Sequence, residues 1–589
     1  MIGQTKTSAG VTTRRGVAAS LGLLLAAGLA QGQVQVNSGE TLTEADLDSG
    51  DFKGQGFSLS PGTVFDVNGG TIDQLGDVST DPDTPYDFGF STVNINNGGF
   101  FRSSSFDQSV VSNITLNVFN GGSVGRAFNA GSDSEINIFG GIVNQNFRAR
   151  DGSTVNISGG EVQRSFRANN GSEVNISGGI VRDFLALDGS EVNISGGTVG
   201  GEANSGSQVN ISGGTFERDF RAEAGSAVNI SGGAFAFNGA SVSSIGSLEQ
   251  TSDDIFSGVL ADGSVFIFTG TENAQLPSGT TTLDTVTVAP VDTTSETVSS
   301  GDTSIQGLRD GQTLTITGGA EVRDAFGAIG GTLNISGGSV GEDLATVNTD
   351  INISGGIVES GFEAFAGSTV DISGGSVGGG FDALDGSTVN ITGGSVVSLE
   401  ASGSAVNITG GSVDFLEAFD GSQVDISGGS VERDFLARGG STVNISGGTV
   451  AKGRESKLEA DASSTVNITG GEFTFNGASA TSVDSVGSSD VLAGVLADGN
   501  VFIFPGRGGE EIATTSLNTV SVAPADTTPM TVSSGDTSIK GLRAGQTLTI
   551  TGGAAVRDAF ETIGGTLNIS GGSVGEDLAT VNTDINISG

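Results

Sequence analysis

The sequence predicts an all-β fold, a parallel, right-handed β-helix solenoid with coils of 17–19 residues that is interrupted by two β-rich spacer modules. Three observations support this prediction. The phrase S-T-V-N-I-S-G-G occurs intact at residues 153–160 and 441–448, and near-copies run from Asn117 to the end of the sequence. Apolar and polar side chains alternate within the phrase, and 100 of the 589 residues are glycine. A phrase that returns at a fixed period indicates a repeat architecture.

The Gly-Gly pairs set the length of the repeat. The first glycine of each pair recurs every 17 to 19 residues within a block, apart from one step of 23 residues between Gly447 and Gly470. The pairs begin at Gly121, Gly140, Gly159, Gly178, Gly196, Gly213 and Gly232, at Gly318, Gly337, Gly355, Gly374, Gly393, Gly410, Gly428, Gly447 and Gly470, and at Gly552 and Gly571. A unit this short buries too little apolar surface to fold alone, so we expect successive coils to stack.

Each coil is predicted to contain three short strands. In residues 154–158, Val155 and Ile157 share one face and the polar side chains share the other, which is the pattern of a half-buried strand. A second apolar position follows the Gly-Gly turn. A Phe, as at Phe166, commonly lies seven residues after the first glycine, with an Ala two residues later. A D-G-S turn or a similar one closes the coil.

Other repeat architectures fit the sequence less well. An amphipathic helical repeat requires apolar residues at a spacing near 3.6, whereas the spacing here is two. Collagen requires glycine at every third position and much more proline than the 8 residues present. A left-handed β-helix requires a strict hexapeptide rhythm, which coils of variable length do not show.

Composition limits the classes of partner. Net charge is −43, from 67 acidic and 24 basic residues, so nucleic acid and anionic membrane surfaces are poor partners. Cysteine and histidine are absent, which excludes disulfides and thiol chemistry. We expect no cofactor, no dedicated metal site and at most weak, non-specific Ca²⁺ binding.

The first residues differ in character from the rest. Arg14 and Arg15 precede an apolar run over residues 17–30, and small residues follow it, so residues 1–32 are predicted to be a secretory signal peptide. The run is too short and too rich in alanine for a transmembrane anchor. We predict no other membrane-spanning segment, and we expect the protein to be secreted or placed on a bacterial cell surface.

A longer repeat divides the remainder of the chain. Asn238 returns as Asn476, an offset of 238, and Val259 returns as Val495, an offset of 236. We predict an N-terminal cap over 33–116, β-helix block 1 over 117–234, spacer module 1 over 235–305, block 2 over 306–472, spacer module 2 over 473–539 and block 3 over 540–589. The alternative is that the modules continue the stack as longer coils. The sequence stops within a Gly-Gly pair, so we expect a longer protein.

An outward asparagine recurs in the middle of the first strand. The column contains Asn156, Asn175, Asn193, Asn210, Asn229, Asn334, Asn352, Asn390, Asn407, Asn444 and Asn467. We interpret it as a self-bonded ladder that supports the stack. The alternative is a flat ligand-binding or ice-binding face, but Glu173, Glu191, Ala227 and Ala405 interrupt the neighbouring threonine column that such a face would need.

Three further groups of charged residues are candidates for chemistry. Arg-Asp pairs precede the Phe position at 182–183, 218–219, 323–324, 433–434 and 557–558; they fit either a grip on a uronic acid or sulfate, or weak surface ion pairs. Lys452, Arg454 and Lys457 form the one unusual basic loop. The turn residues Asp151, Asp188, Asp385 and Asp420 are the positions that could attract Ca²⁺. The near-identical coils offer no unique catalytic cluster, so we predict no catalytic, cofactor-binding or metal-binding residue and no enzymatic activity.

The signal peptide, the V-N-I-S-G-G coils and the L-A-D-G modules together resemble large secreted repeat proteins of bacteria. These include β-helical autotransporter passengers and related surface adhesins, and the resemblance covers nearly everything after residue 116. It implies an exported structural or adhesive protein of the cell surface or outer membrane, whose partners are extracellular polysaccharides or cell-surface ligands. The alternative is a β-helical protein that binds or degrades polysaccharide as a lyase or hydrolase.

Overall fold

The computed structural model describes most of the chain after residue 32. The described residues are 33–37, 41–43, 64–68, 71–75, 86–96, 98–103, 110–169, 171–216, 220–243, 254–269, 280–286, 288, 295–302, 305, 307–450, 458–487, 489–505, 512, 515–533, 539, 541–556, 560–575 and 578–588. The chain forms two compact units, Met1–Pro290 and Val291–Gly589, and each is treated by itself.

Every regular element in the described ranges is a β-strand, and none of these ranges contains a helix long and apolar enough to cross a membrane. The strands of the first unit are Gln33–Asn37, Thr41–Thr43, Val64–Asn68, Thr71–Leu75, Tyr86–Asn96, Phe100–Ser103, Val110–Val118, Ser123–Val124, Asn129–Ala130, Glu135–Ile138, Ile142–Val143, Arg148–Ala149, Thr154–Val162, Phe166–Ala168, Glu173–Ala186, Glu191–Ala203, Gln208–Phe216, Arg221–Ala222, Ala227–Phe237, Ala240–Ser241, Ile255–Leu260, Val265–Thr269 and Thr280–Thr285.

The second unit begins with the strands Glu296–Asp302, Leu308–Arg309, Thr313–Val322, Gly327–Ile329, Thr332–Val340, Ala345–Val347, Asp350–Val358, Glu363–Ala364, Thr369–Ile372, Ser376–Val377, Phe381–Leu384, Thr388–Ile391, Ser395–Ser402, Ala405–Ile408, Ser412–Phe419, Gln423–Val431, Phe435–Ala437, Thr442–Val450, Leu458–Ala460 and Thr465–Phe475. It continues with Ala478–Ser479, Val491–Leu496, Val501–Pro505, Thr515–Thr519, Met530–Val532, Leu542–Arg543, Thr547–Thr551, Ala555–Val556, Glu561–Ile563, Thr566–Ser570, Ser573–Val574, Ala579–Val581 and Asp584–Ile587.

Each coil adds one parallel rung to the stack, as predicted. Ile176 pairs with Ile157 of the preceding coil and with Ile194 of the next one. A coil presents three faces: face A is the V-N-I strand, face B is the short strand after Gly-Gly, and face C is the F-x-A strand. In residues 547–587 the three faces form separate parallel sheets, which shows the prism-like section of a coil. The predicted all-β parallel solenoid is confirmed, while its handedness and the module boundaries stay predictions.

Five inward columns form the core. In one coil they are Val155, Ile157, Val162, Phe166 and Ala168, each at most 1% exposed. The phenylalanines of successive coils stack inside: the Phe147 and Phe166 ring centroids are 4.8 Å apart, and those of Phe362 and Phe381 are 4.4 Å apart. Like side chains thus lie over like side chains, which is the arrangement that the fixed period predicts.

The Gly-Gly turn is required by the close approach of the coils. A Cβ at Gly178 would lie 2.5 Å from the carbonyl oxygen of Ser158 in the preceding coil, which no side chain can tolerate. Gly179 adopts a φ of 78°, in the region that favours glycine. The two glycines therefore serve different needs, one steric and one conformational.

The N-terminal segment already belongs to the stack. Val64–Asn68 pairs in parallel with Gln33–Asn37 on one side and with residues 92–96 on the other. The degenerate coils that Gly69-Gly70 and Gly98-Gly99 suggested are therefore present within the segment predicted to be a cap. The predicted signal peptide lies outside the described residues, as does the basic loop of Lys452, Arg454 and Lys457.

The first module inserts an antiparallel hairpin into the stack. Ile255–Leu260 pairs antiparallel with Val265–Thr269 and with residues 232–237 of the preceding strand. At the tip, the Ala261 amide donates to the Ser231 carbonyl (3.0 Å) and the Asp262 amide donates to the Ser212 carbonyl of the coil before (3.1 Å). The hairpin tip thus lies between two successive coils, and Thr280–Thr285 then resumes the parallel stack.

The second module repeats this construction. Val491–Leu496 pairs antiparallel with Val501–Pro505 and with residues 470–475, and Thr515–Thr519 resumes the parallel stack. The Asp498 carboxylate accepts a bond from the Gly448 amide (2.9 Å), as the Asp262 carboxylate does from the Gly214 amide (2.9 Å). The repeated V-L-A-D-G phrase is thereby explained, because its aspartate caps a glycine amide that the inserted hairpin leaves without a neighbouring strand.

Within the second unit, the last coils pack on the second hairpin. Ala493, Val495, Val501, Ile503 and Ile563 form a small buried apolar cluster there. The Glu561 side chain, from a residue 5% exposed, accepts a hydrogen bond from the Ile503 amide (2.9 Å). The second module is therefore in contact with the coils on both sides of it.

Candidate binding surfaces

The outward side chains of each coil form columns that run along the stack. Face A carries three such columns, of which the middle one contains the predicted asparagines. Face C carries one, the residue between the inward Phe and Ala. Because one rung follows another at about 4.8 Å, a column presents the same kind of group at short, regular intervals.

The asparagine column is a hydrogen-bonded ladder, as predicted, and we call it the amide ladder. In the first unit every amide nitrogen donates to the side-chain oxygen of the preceding rung. The bonds run without a break through Asp66, Asn94, Asn117, Asn137, Asn156, Asn175, Asn193, Asn210 and Asn229, at 2.7 to 3.1 Å. The ladder has one direction, because each amide donates backwards and accepts from the next coil.

In the second unit, aspartates divide the ladder. Asn390 donates to Asp371 (2.7 Å) and Asn444 donates to Asp425 (2.5 Å), so each aspartate begins a new segment. Neither carboxylate has a proton to donate, and each therefore faces the acceptor oxygen of the preceding asparagine, Asn352 or Asn407. The direction of donation makes these two rungs the weak points of this ladder.

The serine column of face A closes the same strand. Ser177 and Ser195 donate to the carbonyl oxygens of Ile157 and Ile176, both at 3.3 Å. Ladder amides and serine hydroxyls are thus engaged mainly within the protein. This arrangement supports the structural interpretation of face A over a face of free polar groups.

Face C of the second unit carries a carboxylate column, which consists of Glu363, Asp382, Glu400 and Glu417. These four residues lie in register on four successive rungs. All four are half-buried. Burial, followed by the charges of Asp382 and Glu417, raises the pKa of Glu400. Arg438 lies beside the column and donates to Glu417 (2.7 Å).

Face C of the first unit carries arginines at the same place in the coil. Arg148 and Arg167 are paired in register on adjacent rungs, and Arg150 follows Arg148 on the same outward side. We call these three residues the arginine cluster. The same column continues through Leu185 and Glu202 to Arg221. The two units therefore present opposite charges at equivalent positions.

The predicted Arg-Asp pairs do not act as pairs. Arg182 bonds Glu161 of the preceding coil (2.9 Å), and Arg433 bonds Asp414 (2.9 Å). Their neighbours accept bonds from other amides: Asp183 from Ser165 (3.2 Å) and, in a third pair, Asp324 from Glu342 (3.0 Å). These contacts are exposed and stabilise little. Residues 218–219 and 557–558 lie outside the described residues.

The turn aspartates have a conformational role. Asp151, Asp385 and Asp420 have φ values of 43°, 34° and 50°, and each precedes a glycine that also has positive φ. This is the backbone pattern of a type I′ turn, which favours Asp-Gly. Across the described ranges, no group of three or more acidic side chains has the geometry to hold a metal ion.

Two further surface features are not part of the repeat pattern. Phe119 and Phe139 occupy the serine position of face A, are 36% and 50% exposed, and stack with centroids 5.2 Å apart. A cleft of about 470 Å³ lies in the second unit beside Glu472 and Asn582. The Glu472 carboxylate accepts a hydrogen bond from Arg543, and Asn582 donates to the Gly477 carbonyl (3.1 Å).

Inspection of the outward residue in each F-x-A strand would have revealed the face C columns. The letter between Phe and Ala is Arg in residues 147–149 and 166–168, and it is Asp or Glu in residues 381–383, 399–401 and 416–418. The exposed phenylalanines could have been found in the same way, because V-F and I-F replace I-S in two coils. The pairing of the hairpin tip with earlier coils had no such local signal.

Comparisons with known proteins give no family. No family model matches the chain, and no curated protein matches it. Among solved structures, the chain is similar to one titled as the crystal structure of a TibC-catalyzed hyper-glycosylated TibA55-350 fragment. Identity is 16%, the match covers 73% of this chain and 94% of that chain, and the TM-score is 0.10, too low to carry an argument about function.

Proposed function

We propose that the protein is an exported structural or adhesive repeat protein that presents its stacked surface to extracellular polysaccharide or cell-surface ligands and catalyses no reaction. The observation that carries this proposal is the in-register repetition of outward groups. In the first unit the amide ladder spans eight steps, roughly 38 Å at about 4.8 Å per rung. A ligand with its own repeat can contact many rungs at once.

Repetition converts weak contacts into useful affinity. A second contact made by a ligand that is already bound is effectively intramolecular, so overall avidity exceeds the affinity of any single rung. A rigid stack also loses little conformational entropy when a ligand binds, because its strands are already ordered. The N-terminal segment 1–32 supports export through its apolar run and preceding arginines.

The proposal is tested with the full chain on a panel of acidic and neutral polysaccharides, each supplied both as a polymer and as short oligosaccharides. We expect saturable binding of at least one polymer, much weaker binding of its oligosaccharides, and no released products. Steady release of shortened or unsaturated products would contradict the proposal and would favour the alternative of a polysaccharide lyase or hydrolase. Absence of binding to every polymer would contradict the adhesive role.

A further inference from the structure

We propose that the arginine cluster of one copy of this chain binds the carboxylate column of a second copy. The two surfaces occupy the same place in the coil, the outward position of face C, but they have opposite charge. The inference does not rest on the proposed ligand binding, because it concerns only contacts between copies of the chain.

The spacing of the two surfaces matches. Arg148 and Arg167 lie on adjacent rungs, and so do any two neighbours of the carboxylate column. Both surfaces are built on parallel strands, so the step along each is about 4.8 Å. Two arginines of one copy can therefore meet two successive carboxylates of the other. Guanidinium groups suit this contact because their planar forks bind carboxylates with two hydrogen bonds.

The carboxylate column has a reason to accept cations. Its four like charges are half-buried and one rung apart, and Glu400 lies between two of them. Repulsion between neighbouring carboxylates is relieved when guanidinium groups bind between them. Arg438 shows this contact within the column itself, since it donates to Glu417 at 2.7 Å.

Net charge gives the association a characteristic salt dependence. Two chains of charge −43 repel each other at a distance. This repulsion reaches roughly 30 Å at 0.01 M salt but only about 8 Å at 0.15 M, where contacts at hydrogen-bond distance survive. At 1 M salt the screening length falls to about 3 Å and weakens the contacts as well. We therefore expect association to be strongest at intermediate salt.

Geometry allows two kinds of product. The arginine cluster and the carboxylate column are different surfaces, so a single contact repeated head to tail gives an open chain of molecules. Two equivalent contacts related by a two-fold axis instead close a dimer. Either product supports the proposal, because both require the same pair of surfaces.

The experiment is sedimentation velocity of the full chain over a series of protein and salt concentrations. One variant reverses the cluster (Arg148→Glu with Arg167→Glu), and another reverses the column (Asp382→Arg with Glu400→Arg). We expect the wild type to associate and each variant alone to associate more than about tenfold more weakly, because like charges then face each other. An equimolar mixture of the two variants should associate again, since each supplies the charge that the other has lost.

Matched controls reverse the same number of charges elsewhere. Glu173→Arg with Glu191→Arg alters adjacent rungs of face A, and Arg182→Glu with Arg433→Glu alters exposed turn arginines. Both controls should associate in the same oligomeric form as the wild type. Recovery in the mixture also shows that each variant is folded, and far-UV circular dichroism checks this independently.

Three results would overturn the proposal. The first is a wild type that stays monomeric across the whole salt series. The second is a variant mixture that remains monomeric although both variants are folded. The third is binding of a polyanion through Arg148 and Arg167, or of a cationic peptide through Glu400, without any self-association, which would assign the surface to a different class of partner.

Discussion

The two units of the chain bury the same residue types and expose different ones. In both, Val, Ile, Val, Phe or Leu and Ala form the inward columns, as Ile194 in the first unit and Ile391 in the second illustrate. Outward, the amide ladder is continuous in the first unit and divided by Asp371 and Asp425 in the second. Face C is basic at Arg148 in one unit and acidic in the other.

This difference separates what holds the stack together from what the stack presents. Inward side chains are restricted by the rungs above and below, so a change there is felt by three coils at once. Outward side chains on face C are restricted only by their neighbours in the column. The repeat can therefore change the charge of its surface without any change in the fold.

The largest expected effect comes from placing a charge in the core. Ile194→Asp and Ile391→Asp should each lower the free energy of unfolding of their own unit by about 4 kcal/mol or more, because a buried carboxylate has no partner there. Chemical denaturation followed by far-UV circular dichroism measures the loss, and hydrogen exchange locates it. The outward variant Glu191→Asp is the control and should stay close to the wild type. Unchanged melting of both core variants would contradict the shared inward columns.

The next effect tests the steric role of the Gly-Gly turn. Gly375 and Gly386 have similar φ values, 76° and 80°, but a Cβ would lie 2.8 Å from backbone atoms of Gly355 at the first and would meet nothing within 4 Å at the second. Gly386→Ala should cost roughly 1–2 kcal/mol from backbone strain alone. Gly375→Ala should cost roughly 1–3 kcal/mol more because the coils must also move apart.

Urea denaturation of these two alanine variants compares them directly, and the pair Gly179 and Gly152 repeats the comparison in the first unit. Equal costs at the two positions of either pair would show that close approach of the coils does not constrain the turn. A larger cost at the D-G-S glycine would contradict the account outright.

The amide ladder offers a test in which the two units should respond with opposite signs. Asn175→Asp breaks the continuous ladder and should destabilise the first unit by about 0.5–1.5 kcal/mol. Asp371→Asn supplies the missing donor opposite Asn352 and should stabilise the second unit by a similar amount. Thermal melting of each variant with hydrogen exchange of the two units gives the comparison. Changes of the same sign would rule out the directional ladder.

The smallest expected effect concerns pH and the carboxylate column. The pKa of Glu400 is raised in the folded chain, so its charged form is disfavoured by folding above the ordinary value of 4.5 and the cost disappears below it. Glu400→Gln should therefore raise the unfolding free energy at pH 7 by less than about 1 kcal/mol, since the site is partly exposed to solvent. No difference is expected at pH 3.5.

Urea unfolding at both pH values checks this prediction, with the exposed Glu321→Gln as the control. A gain that persists at low pH would assign the effect to packing instead of charge. A loss of stability at pH 7 would contradict the repulsion within the column.

Local pattern was sufficient to predict the coil, because its inward and outward positions follow strand alternation and the glycine pairs mark its turns. The ladder was predictable for the same reason, and so were its aspartates, since V-D-I replaces V-N-I at residues 370–372 and 424–426. The direction of hydrogen bonding was not, because it depends on amide orientation in three dimensions. The hairpin tip could not be placed either, since Asp262 pairs with Gly214, 48 residues earlier, through tertiary contacts alone.

The most direct test of the account is a distance measurement along one outward column of the first unit. The chain contains no cysteine, so spin labels can be attached at introduced cysteines in the pairs Thr92 with Glu173 and Thr92 with Gln208. The column passes from Thr92 through Thr115, Glu135, Thr154, Glu173 and Glu191 to Gln208. Four and six rungs predict separations of roughly 19 and 29 Å at about 4.8 Å per rung. Separations that do not increase by about one strand spacing per coil would contradict the stacked solenoid.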